Sequence, residues 1–405
     1  MSEGWSKSAE RNVRSNPAAR EQVQIWMGLA SDRASNTKAE ATNMAKPVEV
    51  KTIAIGLQGG GSHSAFAWGV LDELLENVDQ GQLKITAISG ASGGALNGAV
   101  CAYGLRTGAK EAQELLRRFW ISVSEQSLWP ENPIRNMFPE DSPNRWNVDL
   151  NPLAIGFGMA EQITSPYLNP WGSHNILRPL LANVMPDFNA FGADENDAPK
   201  LFVSATAVDR TALRIFGPKE ITIDALLASA CLPTFFQAVT IDGTPYWDGG
   251  YLANPALNPL LDYANDLLTI LIDPLDVKGG PPVTPRQIVN RINEVSFNAS
   301  WILEIQQIEL INKLCKDGLL KGTKYKEKRL HLIRKDEFME AIGATSKIVP
   351  SRDFLLALHD TGRKTAKQWV AENFNRIGVG SSFDVNSEVA LRLKGSHSSV
   401  ARLRP

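Results

Sequence analysis

Ser92 lies in the string Ile88-Ser89-Gly90-Ala91-Ser92-Gly93-Gly94, which satisfies the Gly-x-Ser-x-Gly pattern of a nucleophile elbow. The chemistry this pattern serves is nucleophilic attack. Gly90 and Gly94 let the backbone turn sharply from strand to helix while the serine hydroxyl projects outward. Glycine and serine are also common turn residues, so the pentapeptide needs companions. One is Gln58-Gly59-Gly60-Gly61-Ser62-His63-Ser64. Glycines ahead of a helix expose unpaired N–H groups at the positive end of its dipole, a place suited to an oxyanion. Another is Tyr246-Trp247-Asp248-Gly249-Gly250, preceded by an Asp242-Gly243 pair that predicts a hairpin turn. Asp248 then stands at a strand end, entering a glycine turn. Taken alone it does no more than cap that turn.

The elements around these residues read clearly. Thr52 to Leu57 is a strand-like run before the glycines, and Ala67, Val70, Leu71, Leu74 and Leu75 after them mark one apolar helical face. Leu83 to Ile88 is a second strand-like run, ending at the elbow. Strand, glycine loop, helix and strand make one βαβ unit. Two rival readings of the loop fail on its residues. A phosphate-binding loop needs a closing Gly-Lys-Ser/Thr, and no lysine occurs between Lys51 and Lys84. A dinucleotide fingerprint needs a third glycine where Ser64 stands.

Taken together, the glycine loop Gly59-Gly60-Gly61, the elbow Gly90 to Gly94 and Asp248-Gly249-Gly250, in this order, resemble the patatin-like phospholipase family. Ala228-Ser229-Ala230-Cys231-Leu232-Pro233 is similar to the helix-then-proline segment that precedes the family's catalytic aspartate. The resemblance spans about Val48 to Pro274, and Ser64 departs from the glycine that commonly ends the first loop. It implies a three-layer α/β fold with a mainly parallel central sheet flanked by helices. It also implies a Ser92–Asp248 dyad instead of a triad, with Gly59, Gly60 and Gly61 as the oxyanion hole. Gly90, Gly94, Gly249 and Gly250 would support it. The substrate implied is a carboxylic ester of a lipid or phospholipid, as for a phospholipase A or lysophospholipase. Two alternatives stay open: another ester, such as an intracellular polyester or neutral glyceride, and a non-catalytic lipid-binding protein that retains the fold.

The histidines agree with a dyad. None of His63, His174, His331, His359 and His397 stands where a triad histidine follows the acid late in an α/β-hydrolase domain. His63, beside the glycine loop, is a candidate for positioning substrate; His174 reads as structural. Cys101, Cys231 and Cys315 lack ligand spacing, so no metal or cofactor is expected, and their odd number suggests reduced thiols.

The 405 residues are 43% hydrophobic with a formal net charge of −2, which points to a globular protein and away from nucleic acid. No run of about 18 apolar residues suggests a membrane span. The first 45 residues lack the apolar core of about 7 to 15 residues of a secretory signal. The expected location is the cytoplasm, with peripheral membrane contact. Four regions are expected: a polar arm at 1–47, a catalytic domain at 48–275, a helical C-terminal extension at 276–380 and a disordered tail at 381–405. Within the second, 129–191 reads as a lid-like insertion carrying Trp129, Met137, Phe138, Trp146, Phe157, Met159, Tyr167 and Trp171. Its aromatic residues suit either a satellite core or a lipid interface. In the third, Thr284, Pro285 and Gln287 form a capping-box start for a helix running to Leu314. The charged stretch Lys321 to Arg334 reads as a solvated face, and Gly362 as an interruption of the last helix.

Overall fold

Five consecutive buried residues, Ile53 to Leu57, end strand β1 (Lys51–Leu57), as expected of a strand covered on both faces. The structure, a computed structural model, describes residues 50–126, 132, 135–149, 151, 156, 165–168, 176–193, 198–278 and 280–385. The N-terminal arm, Trp129, Phe157, Met159, Trp171, His174 and His397 lie outside these residues. β2 (Leu83–Gly90), β3 (Lys200–Ala207), β7 (Asp266–Ile270) and β8 (Arg329–Ile333) join β1 in a parallel array ordered β3-β2-β1-β7-β8. Antiparallel pairing adds β4 (Ala212–Phe216) and the hairpin β5 (Val239–Ile241) to β6 (Thr244–Asp248) beside β3. Asp242 and Gly243 both have positive φ, the conformation an Asp-Gly hairpin turn requires.

Helices cover both faces. Ile53, Ile55, Leu57, Ile85 and Ile88 share one core with α1 (Ser64–Asp79), α2 (Gly93–Gly104), α3 (Ala109–Glu125), α4 (Leu177–Val184) and α5 (Ile223–Ser229). All five apolar positions expected on α1 are buried there. On the opposite face the small residues Ala54 and Ala87, with Leu267 and Leu330, pack under Trp301, Ile305 and Ile308. These belong to α6 (Pro285–Lys316), which starts at the anticipated Thr284 and Gln287 capping box. α7 (Asp336–Ile342) and α8 (Arg352–Asn373) follow β8.

The part of the chain beyond Pro274 does more than add helices. Within the charged stretch expected to be a solvated face, Leu330, His331 and Ile333 are buried in β8, which pairs with β7 over five residues. Mostly basic residues from Lys321 to Arg329, with Arg334 beyond, hid a strand whose run Leu330 to Ile333 is apolar except for His331. Gly362 does not interrupt α8 either. It marks the crossing of α8 over α1, where a Cβ on Gly362 would stand 2.1 Å from the Phe66 carbonyl oxygen. One on Gly69 would stand 1.9 Å from that of His359. The start of the expected tail, 381–385, runs beside β8, with Ser382 N donating to Leu330 O at 3.0 Å and Val385 buried against the α6 side.

The sheet sets the candidate residues near one another. β2 ends at Gly90 opposite Val203, and β6 ends at Asp248 opposite Ala205. The two strand ends are thus two residues apart along β3, an offset of about 7 Å.

Candidate active site

Between the end of β2 and the start of α2, Ser92 has φ 51° and ψ −129°, a conformation that L-residues rarely adopt. Backbone contacts hold it there. Ala91 O accepts from Gly94 N at 2.8 Å and from Ala95 N at 3.2 Å, and Ser92 N donates to Ser229 Oγ at 3.0 Å. Gly90 and Gly94 are required by close approach: a Cβ would lie 2.6 Å from Ala95 N at the first and 2.3 Å from Leu57 O at the second. Ser92 therefore sits at the N-terminus of α2, buried to 8% exposure.

The glycine loop packs directly on this turn. A Cβ on Gly59 would stand 2.2 Å from Ala91 O and 2.6 Å from Ser92 Cβ, so any larger residue would displace the elbow. Asn254 clamps Gly59, accepting from its N–H at 2.7 Å and donating to its carbonyl at 3.3 Å. Of the three glycines expected to bind an oxyanion, Gly59 thus has its N–H already engaged. Among the described residues no acceptor meets the N–H of Gly60 or Gly61. Gln58 fixes the loop from below, where its Oε1 accepts from Ile272 N at 2.7 Å and Asp273 N at 2.8 Å.

Asp248 is almost fully buried, at 1% exposure. Its Oδ1 accepts from Gly250 N at 2.8 Å, and Oδ2 is buried without a hydrogen bond. The Ser92 hydroxyl comes near enough to help lower the carboxyl's proton affinity, although it makes no hydrogen bond of ordinary geometry to Oδ2. Burial dominates and pushes the Asp248 pKa up to about 6, against the Gly250 N–H, the Ser92 hydroxyl and the Lys347 charge, which pull it down. Gly249 lets the chain pass β3, since a Cβ there would lie 2.1 Å from Ser204 O.

The last residue of α5 and the segment after it tie the backbones of Ser92 and Asp248 to one support. Ser229 Oγ accepts from Ser92 N, and Cys231 O accepts from Asp248 N at 2.9 Å. Cys231 is no rival nucleophile: burial first, then the Asp248 charge, push its thiol up to about 11. His63 is buried in the turn Gly61–His63, with Nε2 at 2.6 Å from Ser346 Oγ. Because that hydroxyl donates to Gly343 O at 2.8 Å, the Nε2 must be the donor. Burial, then the Lys347 charge, hold this imidazole well below its ordinary pKa, so it is neutral at pH 7. Ser64 has its hydroxyl buried without a hydrogen bond against Gly93, while Gly61 keeps the positive φ of a tight turn. His331 and His359 lie elsewhere, bonded to Asp266 and Asp72.

Sequence reasoning passed over Gln58, Asn254, Ser229, Ser346 and Lys347. Only position hinted at some of them: Gln58 abuts the glycines, and Asn254 follows Asp248-Gly249-Gly250 by a few residues. Among the described residues no group of His, Cys, Asp and Glu is arranged to hold a metal ion, and no helix is long and apolar enough to cross a membrane.

A family model described as patatin-like phospholipase matches residues 56–261. Curated protein sequences give no match. Among solved structures, the chain is similar to VipD from Legionella pneumophila at 14% identity and TM-score 0.37, covering 82% of this chain and 73% of that one. It is also similar to the type III effector ExoU at 13% identity and TM-score 0.32, covering 79% of this chain and 52% of that one. For full-length ExoU in complex with SpcU from Pseudomonas aeruginosa the values are 14%, 0.29, 79% and 53%. The chain spans about half the length of the ExoU chains.

Proposed function

The chain belongs to the patatin-like phospholipase family, and from that membership we propose that it is a serine lipid acyl hydrolase working through Ser92 and Asp248. The observation that carries this reading is the meeting of a strained serine, a buried carboxyl with one oxygen unengaged and a glycine turn with unengaged N–H groups. In the first step Ser92 Oγ attacks the ester carbonyl carbon while its proton passes to Asp248. The carbonyl oxygen, now negative, sits against the N–H groups of Gly60 and Gly61, joined by Gly93 at the start of α2. Collapse of the tetrahedral intermediate returns the proton from Asp248 to the leaving alcohol. Water then attacks the acyl-serine, with Asp248 accepting its proton and passing it to Ser92 Oγ as the acyl–oxygen bond breaks and the fatty acid leaves.

Both protonation states of the base are needed in turn, and a pKa of about 6 makes both accessible near neutrality. The substrate class we infer is a phospholipid or lysophospholipid ester, reached by peripheral contact with a lipid surface from a cytoplasmic location. The catalytic unit we infer is 48–275, with 129–191 inserted, and 276–380 packs on it and adds β8 to its sheet. The test is covalent labelling with a fluorophosphonate, followed by peptide mapping, alongside a panel of phospholipid, lysophospholipid, glyceride and polyester substrates. Label on Ser92 that is lost in Ser92→Ala, together with release of fatty acid from phospholipid, is expected. Label mapping to another residue overturns the assignment.

A further inference from the structure

Helix α6 is apolar on two faces. One, with Trp301, Ile305 and Ile308, is buried on the sheet. On the other, Ile288, Ile292, Val295, Leu303 and Leu310 are between 42% and 58% exposed. Exposed Ala299 and Gln306 complete with them a line of positions three or four apart, about 33 Å long. No acid of the helix is among its exposed residues. Glu294 is held by Arg291 at 2.9 Å, Glu304 accepts from Leu257 N at 2.6 Å, and Glu309 accepts from Asn312 Nδ2 at 3.3 Å. A helix that meets only water on its outer side carries charge there and turns its aliphatic residues inward. Among the described side chains of 285–326, the exposed charges are Lys313, Lys316, Lys321, Lys324 and Lys326 against Asp317 alone.

The line begins beside the candidate site. Asn298 Nδ2 and Arg291 Nη1 donate to Pro274 O at 3.2 and 3.1 Å, so the first turns of α6 stand past the C-terminal end of β7. Asn298 Oδ1 accepts from Nε2 of Gln58, next to the glycine loop, at 2.9 Å. Phe297 packs edge-on against Tyr251, an exposed residue just after Asp248-Gly249-Gly250, with ring centres 5.7 Å apart. Lys347, whose carbonyl oxygen would stand 2.3 Å from a Cβ on Gly61, holds its ammonium 5.6 Å from the same Phe297 ring. The lysines lie at the other end of α6 and in the loop before β8. We propose that the outward line of α6 is the surface by which the chain lies on an anionic lipid layer, with the aliphatic residues at the acyl boundary and the lysines on the head groups. The choice of lipid rests on the lipid-hydrolase reading above. A second copy would bring the same face, which has no exposed acid to meet the lysines, whereas anionic head groups meet them. The first turns of α6 then hold lipid at the rim of the site, beside Tyr251.

The experiment measures co-sedimentation of the full chain, carrying Ser92→Ala so that turnover does not alter the lipid, with vesicles of phosphatidylcholine alone or in equimolar mixture with phosphatidylglycerol. Adding Ile288→Gln, Ile292→Gln and Val295→Gln together should lower partition into the mixed vesicles at least ~10-fold, because three aliphatic side chains lose their apolar contact. Glutamine favours helix at least as well as Ile and Val, and an unchanged melting temperature checks the fold. Where that variant does not fold, Leu303→Gln with Leu310→Gln tests the same line and should also weaken binding. Lys313→Gln with Lys321→Gln should weaken binding to the mixed vesicles alone. Leu213→Gln, exposed on β4 beside β3 and away from β8, should bind as the parent does. Folded line variants that bind like the parent overturn the inference. So does a parent that sediments without lipid as a dimer and is split by the triple substitution, because the face then holds a second copy. If the chain with Ser92 intact hydrolyses no ester and takes no label while its vesicle binding depends on the line, the dyad reading fails and this inference stands.

Discussion

Asp248, the base of the proposed dyad, sets function against stability. Its carboxyl is buried beside the elbow, so its pKa rises from 3.8 to about 6. A pKa raised on folding contributes stability below the unfolded value that is lost as pH rises through the folded one. A rise of about two units sets that loss at about 3 kcal/mol by pH 7. Asp248→Asn keeps an oxygen for Gly250 N but carries no charge, and is expected to melt higher than wild type at pH 8 while losing at least ~10³-fold in kcat. Thermal melts from pH 4 to pH 8 check it, because the difference should vanish at the acid end. For the wild type, kcat/KM should rise as pH passes through about 6, where the base ionises. Replacing His63 with Gln, which still donates to Ser346, should cost less than ~10-fold in kcat. A loss matching that of Asp248→Asn would make the histidine the base.

At the scale of elements, two contacts decide how the C-terminal part is seated. The α1–α8 crossing depends on Gly69 and Gly362, where each helix touches the other's backbone carbonyl. Gly362→Ala gains helix propensity yet overpacks this contact, so a net destabilisation of about 1–3 kcal/mol is expected in urea unfolding. A variant as stable as wild type would mean that the crossing is loose. The aromatic insertion divides in the same way. Trp146 packs on Phe354 of α8 with ring centres 5.5 Å apart and lies under the Arg135 guanidinium, partly buried against the main core. Met137, Phe138 and Tyr167 are exposed. Replacing Met137 and Phe138 with Ser should weaken liposome binding and hydrolysis of aggregated lipid while a short soluble ester is spared; Trp146→Ser should lower the melting temperature and both activities. Equal loss on both substrates from the exposed pair would end the interfacial reading.

Over the whole molecule, Asp266 fastens β7, β8 and the chain after α8. It pairs with Arg329 at 2.7 Å, meets His331 Nε2 at 3.0 Å and accepts from Gly378 N at 3.0 Å. Burial alone would raise its pKa, but these three partners together hold it well below the usual carboxylate range. A depressed pKa contributes stability above the unfolded value of about 4 that is lost as pH falls through the folded one. Asp266→Asn should therefore cost about 3 kcal/mol at pH 7, and the difference from wild type should shrink in melts near pH 3. The sequence by itself determined the βαβ unit, the elbow, the Asp242-Gly243 hairpin, the α6 cap and the α1 core face, because each is written in residues within a few positions of one another. Tertiary structure alone decided that β8 closes the sheet, that Gly362 is a crossing, that Asn254 occupies the Gly59 N–H and that Lys347 lies against the glycine loop. Lys347 and Gly61 are brought together only when β7 pairs with β8 and α8 crosses α1, and no local periodicity encodes a contact across so much intervening chain.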